Sequence, residues 1–446
     1  MLSADSNRQN ALARILARGA SAALASQILG AAILFGAQIV MARLIGSVSF
    51  GRYIWTLSTI TVLAFAGKLG YDLAATRFLA QYEASKDWAR MRGFLRHSLT
   101  SVSGLSAIMA ILAALFGFII RNRWDAETLR AWWIACLLLP VLALQLYHVA
   151  ALRGFKKILM STLPWEVTRP ALTLGFIVAL PVWFACSISN AEWAMWSNLL
   201  ATTLGLSLQC WFLRRSTPPE AHLAAPTYEH SLWRQTAVAM ALISGFNIIY
   251  RNADIIMIGI FMDREQSGFY AAASRIAMPI TFGLGAVNAI IAPMASALHT
   301  EGRRDDLQRI VTWSAWANFC FTLPAAIIIV LTGNFLLGLF GGAFTVSYGA
   351  LCILAGSQAA AAFAGSVGFL MIMTGHERAA AKAMGSSAIL NIILNAILIP
   401  RWGLTGAAAA TAISIVSWKV MLTAMVHQRL RINSTILSKP ARKTAS

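Results

Sequence analysis

Acidic side chains are scarce in this chain, 17 Asp and Glu against 36 Lys and Arg in 446 residues, and charged residues of both signs reach only 12%. A domain wetted on every side carries about a quarter charged residues, so an ordinary soluble globule is excluded. Long polar stretches are missing too. The longest, 214–231, holds Pro218, Pro219 and Pro226, and no other loop has room for a separate catalytic domain. Nor is there a GxxxxGK[ST] phosphate loop, an HExxH helix or a GxSxG elbow, which argues against ATP hydrolysis and against an enzyme. The five cysteines, Cys136, Cys186, Cys210, Cys320 and Cys352, fall in or at the ends of apolar stretches with no pair at metal-ligand spacing. They read as small packing residues, and neither a disulfide framework nor a metal or other cofactor is expected.

What fills the chain instead is hydrocarbon: 58% hydrophobic residues and a mean hydropathy of +0.66. A membrane core about 30 Å thick takes about 20 helical residues to cross. Twelve stretches meet that length: 21–42, 53–78, 99–120, 131–152, 163–185, 193–213, 236–262, 270–298, 310–340, 348–374, 381–400 and 406–426. The fold class is therefore all-α, a polytopic membrane protein of about twelve transmembrane helices. Arg8, Arg14 and Arg18 precede an apolar run too long for a cleaved signal, so that run stays as the first span.

The net charge of +19 raises the question of nucleic acid, which the placement of the cations answers. Lys and Arg crowd the amino-terminal segment, every second loop and the tail, and are sparse in the loops between. That alternation is the positive-inside pattern: it sets both termini in the cytoplasm and explains the basic balance without nucleic acid. The proline-bearing stretch 214–231 then reads as a cytoplasmic linker between halves 1–213 and 232–446 of six spans each. The halves share a phrase in which Gly51 matches Gly268 and Tyr53 matches Tyr270 at one common offset. Since six spans is an even number, both copies keep one orientation in the membrane.

Ionisable residues inside spans cost about 2.5–3.5 kcal/mol each on insertion scales, so they are candidates for function. Arg251 with Asp254, Lys68 with Asp72 and Glu166 with Arg169 are spaced for pairing on one helical surface. Two readings stand: structural ion pairs that make insertion tolerable, or charges facing a hydrated central cavity where cations hold an anionic ligand. Arg251 with Asp254 carries the second best, because helical rise places it near the bilayer midplane. Arg275 and Lys419 have no partner three or four residues away, and snorkelling accounts for them as well as ligand binding does. His148 reads as a hydrogen-bonded packing residue, Asn391 and Asn395 as an interhelical bonding pair.

Several phrases, in order along nearly the whole chain, then carry a resemblance. They are Ala42-Arg-Leu-Ile-Gly46, Phe50-Gly-Arg-Tyr53 and Leu69-Gly70-Tyr-Asp72 with Arg77 beyond. Later come Asp254-Ile-Ile-Met-Ile-Gly259, Gly268-Phe-Tyr270 with Arg275, and Asn391 to Asn395 followed by Pro400, Gly403 and Gly406. The chain resembles the lipid-linked oligosaccharide and polysaccharide flippases of the multidrug/oligosaccharidyl-lipid/polysaccharide exporter superfamily. It departs from them where Ser47 replaces the proline that usually follows Gly46, a matter of turn geometry.

The resemblance implies two six-helix bundles around a central cavity that opens alternately to each side of the inner membrane. It implies export of a polyprenyl-diphosphate-linked oligosaccharide for lipopolysaccharide or exopolysaccharide synthesis, with membrane lipid and the polysaccharide polymerase and chain-length machinery as partners. Arg251, Lys68 and Arg275 would hold the diphosphate or acidic sugars. Two negative charges crossing about 100 mV outward gain roughly 4.6 kcal/mol, at about 2.3 kcal/mol each, so voltage is one expected drive. Proton or sodium coupling through Asp72, Glu166 or Asp254 is its rival. The competing functions are a cation-coupled multidrug exporter, which calls for unpaired acids, and a membrane-embedded polymerase or glycosyl transferase, which calls for a long outer loop.

Overall fold

The computed structural model describes residues 2–184, 190–430 and 432–436. Cys186 and most of the expected basic tail lie outside them. The elements are α1 (Leu2–Lys68), α2 (Tyr71–Ser85), α3 (Trp88–Ile120), α4 (Ala126–Gly154), α5 (Ile158–Thr162), α6 (Arg169–Phe184), α7 (Ala191–Ser216) and α8 (Pro219–Leu223). They continue with α9 (His230–Phe261), α10 (Arg264–Ala277), α11 (Phe282–Thr300), α12 (Arg304–Phe340), α13 (Tyr348–Ala362), α14 (Val367–Met373) and α15 (Glu377–Leu430). No strand occurs among the described residues.

Six of these helices have the length and apolar composition to cross a membrane, and the twelve expected spans map onto the set once its breaks are read. Two helices are each a pair of spans. Gly46 (φ +80°) interrupts α1 and Gly403 (φ +58°) interrupts α15, left-handed backbone that favours glycine. Four spans are each divided, the eighth by a 3-10 turn over Met278–Thr281 between α10 and α11. The second is cut where Leu69 and Gly70 take positive φ between α1 and α2. The fifth runs as α5, a π-helical turn over Leu163–Thr168 and α6, and the tenth is cut between α13 and α14. The starts of α3 and α4 are fixed by carboxylate caps: Asp87 accepts from the Arg90 N–H at 3.0 Å and Asp125 from the Thr128 N–H at 3.0 Å.

The polarity of the packing suits lipid. Large apolar side chains such as Ile119, Trp313 and Leu331 stand more than three-quarters exposed, while Ser98, Gln145, Asn198 and Asn391 are buried. In lipid, small and polar side chains hold helices together because apolar ones gain nothing by leaving the hydrocarbon.

The chain separates into two compact units, residues 1–248 and 249–446. In the first, α4 packs against α1, α2, α3 and α7. In the second, α15 packs against α13 and α14, and α12 against α11 and α13. The division falls inside α9, further along than the linker expected at 214–231. The reason is that the linker and the root of α9 are built into the first unit. The Thr227 N–H donates to Ala89 O at 3.1 Å, Arg92 to Ala224 O at 2.7 Å, and buried Trp233 donates to Tyr82 Oη at 3.0 Å. Further along α9, a Cβ on Gly70 would lie 2.1 Å from Ala237 O, so only glycine permits the close approach there.

Candidate functional site

The second unit buries one carboxylate, Asp254 on α9, among neutral donors from two other helices. Tyr270 Oη donates to Oδ2 at 2.7 Å, Thr411 Oγ1 donates to the same oxygen, and Asn395 Nδ2 donates to Oδ1 at 2.6 Å. Asn391 joins through Thr411 at 3.3 Å and through Asn395 at 3.1 Å. Local geometry explains the assembly. Asn391 and Asn395 share one face of α15 before Gly403, and the break at Gly403 folds the rest of that helix back so that Thr411 meets them. Tyr270 comes from α10.

Hydrogen bonds satisfy the carboxylate's lone pairs but do not cancel its charge. Asp254 is 6% exposed, and its hydrogen-bond donors Tyr270, Thr411 and Asn395 are all neutral. A buried charge without a counter-charge is costly in lipid, so the site gains stability by taking up a cation. The donor set limits which one. Among the described residues no three of His, Cys, Asp and Glu come together, so a divalent metal finds too little negative charge. One carboxylate with amide and hydroxyl oxygens suits a proton or a monovalent ion. One oxygen already lacks a partner: Asn395 Oδ1 is buried without a hydrogen bond.

Arg251, expected to pair with Asp254, does not. Its side chain is exposed while Asp254 turns inward, and no ion pair joins them. One turn of helix brings the two close in sequence, but the three neutral donors take the carboxylate's coordination sphere on the inner face. Arg275 is also exposed, with Nη1 4.0 Å from Met278 Sδ.

The first unit carries the other two expected pairs. Lys68 and Asp72 form a direct, buried ion pair. It bridges the break at Leu69 and Gly70, the cation closing α1 and the anion opening α2, so that each charge complements a helix end. Lys68 also lies 4.8 Å over the Phe65 ring. Held this way, its charge is already matched within the unit. Arg169 is reached electrostatically by Glu166 on the π turn. It donates to Asn198 Oδ1 at 3.1 Å and stacks 4.6 Å over Trp165. Asn198 Nδ2 donates to Tyr53 Oη at 2.6 Å, and Thr202 Oγ1 donates to Asn198 Oδ1 at 3.1 Å.

Two remaining candidates are structurally occupied. Both ring nitrogens of His148 have partners, Leu144 O at 2.7 Å and Cys210 Sγ at 3.3 Å. Lys419 is buried and donates to Gly365 O at 2.9 Å, bracing the break between α13 and α14. Tyr53, Asn198, Tyr270 and Thr411 escape a search for ionisable residues because they are neutral. The shared phrase marks the two tyrosines: Tyr53 and Tyr270, matched by one offset, both end in a buried polar cluster.

Comparisons with known proteins agree on fold and family. A family model described as polysaccharide biosynthesis protein matches residues 16–299. The probable low-salt glycan biosynthesis flippase Agl15 of Haloferax volcanii is 30% identical over 166 residues, 37% of this chain and 35% of that protein. The chain thus spans about a third of the length of the curated relative it matches. An inward-facing multidrug resistance MATE family transporter of the MOP superfamily superposes with TM-score 0.74 at 14% identity, over 89% of this chain and 94% of that one. The lipid II flippase MurJ in an inward closed conformation superposes with TM-score 0.69 at 13% identity, over 90% and 86%. At such identities the superpositions establish the fold, that of MOP superfamily transporters.

Proposed function

The chain belongs to the polysaccharide biosynthesis protein family, and from that premise we propose that it carries a lipid-linked glycan across the membrane by alternating access. The observation that carries this reading is the family match over 16–299, on a chain with the fold of superfamily transporters. The cargo in this reading is an oligosaccharide on a polyprenyl diphosphate, moved from the inner to the outer leaflet of the cytoplasmic membrane with both termini in the cytoplasm. No bond is made or broken. The similarity to Agl15 and the shared fold with MurJ, both named as flippases, support a glycan-lipid cargo.

The charged residues divide by task. Arg251, exposed and without an ion pair among the described residues, is the first contact for the diphosphate, with exposed Arg275 on α10 as a second cation. A guanidinium offers paired N–H donors matched to phosphate oxygens. Lys68 takes part only by exchanging Asp72 for the substrate. Asp254 does not tune Arg251; it is the seat of a coupling cation, a proton or sodium. The orphaned Asn395 Oδ1 beside the carboxylate fits sodium, which it would ligate together with Asp254 and Thr411. This favours cation coupling over a drive by voltage alone.

The second reading, a cation-coupled multidrug exporter, draws on the same unmatched acid. It is disfavoured by the exposed arginines, which repel cationic drugs. One experiment separates the two. In vesicles holding the purified protein and a fluorescent polyprenyl-diphosphate oligosaccharide, the lipid is expected to change leaflet, and Arg251→Ala is expected to slow it at least tenfold at equal protein content. An unaltered rate in Arg251→Ala removes that residue from the pathway. Movement of a cationic dye with no movement of the glycan lipid overturns the reading.

A further inference from the structure

At the base of the first unit two imidazoles face one another. Nδ1 of His230, the first residue of α9, lies 3.0 Å from Nδ1 of His97 on α3, and His97 Nε2 lies 3.1 Å from Tyr71 Oη on α2. Around them the end of the linker is fastened on both sides. The Tyr228 ring stacks on His230 with centroids 5.0 Å apart and planes 7° apart, and Trp233 sits 5.5 Å from His97. A Cβ on Gly93 would lie 1.9 Å from Thr227 O, so the strap is seated against the α3 backbone itself. His230 is exposed and His97 half-buried, so protons from the cytoplasm reach the pair.

We propose that His97 and His230 form a proton-operated latch that holds the root of α9 to the first unit. The argument is a count of protons. A bond between two Nδ1 atoms needs one N–H and one bare nitrogen. With the pair neutral this is met: Tyr71 Oη donates to His97 Nε2, and His97 Nδ1 donates to His230 Nδ1. A first proton is accommodated without loss on exposed His230, whose Nδ1–H then donates to the bare Nδ1 of His97 as a charge-assisted bond while His97 Nε2–H donates to Tyr71 Oη. A second proton puts a hydrogen on both facing nitrogens and a like charge on both rings, and the bond cannot survive. The latch therefore closes through one protonation and opens on the next.

The surrounding charges set the direction. Burial first, then His230 and Arg234, one turn along α9, oppose a charge on His97. Glu229 favours charge at the strap but is engaged by Arg90 at 3.0 Å, and Asp87 by the same Arg90 at 3.1 Å. Burial pushes the Tyr82 hydroxyl above its ordinary value, so it stays neutral throughout imidazole's range of about pH 5–8. Imidazole is the side chain whose ordinary change of charge falls in that range. The consequence reaches far along one element. From His230 to Asp254 the helix rises about 36 Å at 1.5 Å per residue, and releasing its root frees the helix that carries the buried carboxylate. The latch does not depend on the proposed cargo, and its test does not measure transport.

Amide hydrogen exchange over residues 224–236 of the full chain in lipid nanodiscs, corrected for the intrinsic pH dependence of exchange, reads the strap directly. Protection is expected to hold from pH 8 to about 6.5 and to fall at least tenfold by pH 5. Both His230→Gln and His97→Gln should remove the fall, whereas His222→Gln, in the same linker, should keep it. Protection that stays constant across this range in the wild-type chain overturns the proposal. So does a fall that persists in both histidine variants. If either variant fails to fold, the wild-type profile against His222→Gln still decides.

Discussion

Each unit builds a polar cluster around a tyrosine of the repeated phrase, and the charged residues of the two clusters have opposite sign. In the second, Asp254 sits among Tyr270, Thr411 and Asn395. In the first, Arg169 sits with Asn198, which is in turn bonded to Tyr53 and Thr202. Tyr53 and Tyr270 are the matched residues of the repeated phrase, so a duplicated position serves both clusters. At the common offset the residue matching Asp254 is Ala37, buried and apolar. The first unit thus has no anion where the second has one, and it holds a tethered cation instead. A guanidinium fixed to the chain cannot be exchanged. A carboxylate satisfied only by neutral donors can take and release a cation, so the proposed coupling belongs in the second unit.

The largest effect that sharpens this contrast is expected from Asp254→Asn. The amide preserves the shape of the cluster and removes its charge, so the chain should still fold while its transport loses all response to sodium and proton gradients. Flux in vesicles under imposed gradients measures it; an unchanged response would place the coupling ion elsewhere. Arg169→Met should act in the opposite manner. It leaves Glu166 without its nearby cation and Asn198 Oδ1 with one donor fewer, and hydrogen bonds to charged groups are worth about 1.5–3 kcal/mol. The thermal midpoint in detergent should drop markedly, while the folded fraction keeps its response to ions. A coupling defect without loss of stability would break the assignment of Arg169 to structure.

How much of this the sequence disclosed depends on the type of signal. The twelve spans follow from hydrophobic length alone, and their breaks at Gly46, Gly70 and Gly403 stand at residues whose backbone freedom is readable in advance. Local spacing identified Lys68 with Asp72 because residues four apart share a helical surface. The same rule misled for Arg251 and Asp254. Spacing along one helix says which residues are near one another, but partners on α10 and α15 decide which way Asp254 turns, and those lie far away in sequence. The prolines announce a connector, but not that Trp233 and the backbone fit of Thr227 against Gly93 fasten its end to the first unit. The histidine pair joins residues too distant in sequence for any periodicity to reveal.

The finest form of the comparison uses one substitution in two places. Tyr270→Phe removes a donor to a buried carboxylate, and hydrogen bonds to charged groups are worth about 1.5–3 kcal/mol. Tyr53→Phe removes the acceptor of the Asn198 amide, a neutral bond worth about 1 kcal/mol, plus whatever the amide loses by remaining unpaired. Urea or thermal unfolding should therefore rank Tyr270→Phe as the more damaging of the two while Asp254 is charged. In an Asp254→Asn background the gap should close, since both tyrosines then serve neutral amides. If the two substitutions already cost the same in the wild-type chain, Asp254 is not held as an anion at rest. Its cluster would then be carrying a proton, and of the two coupling ions the proton would be the one selected.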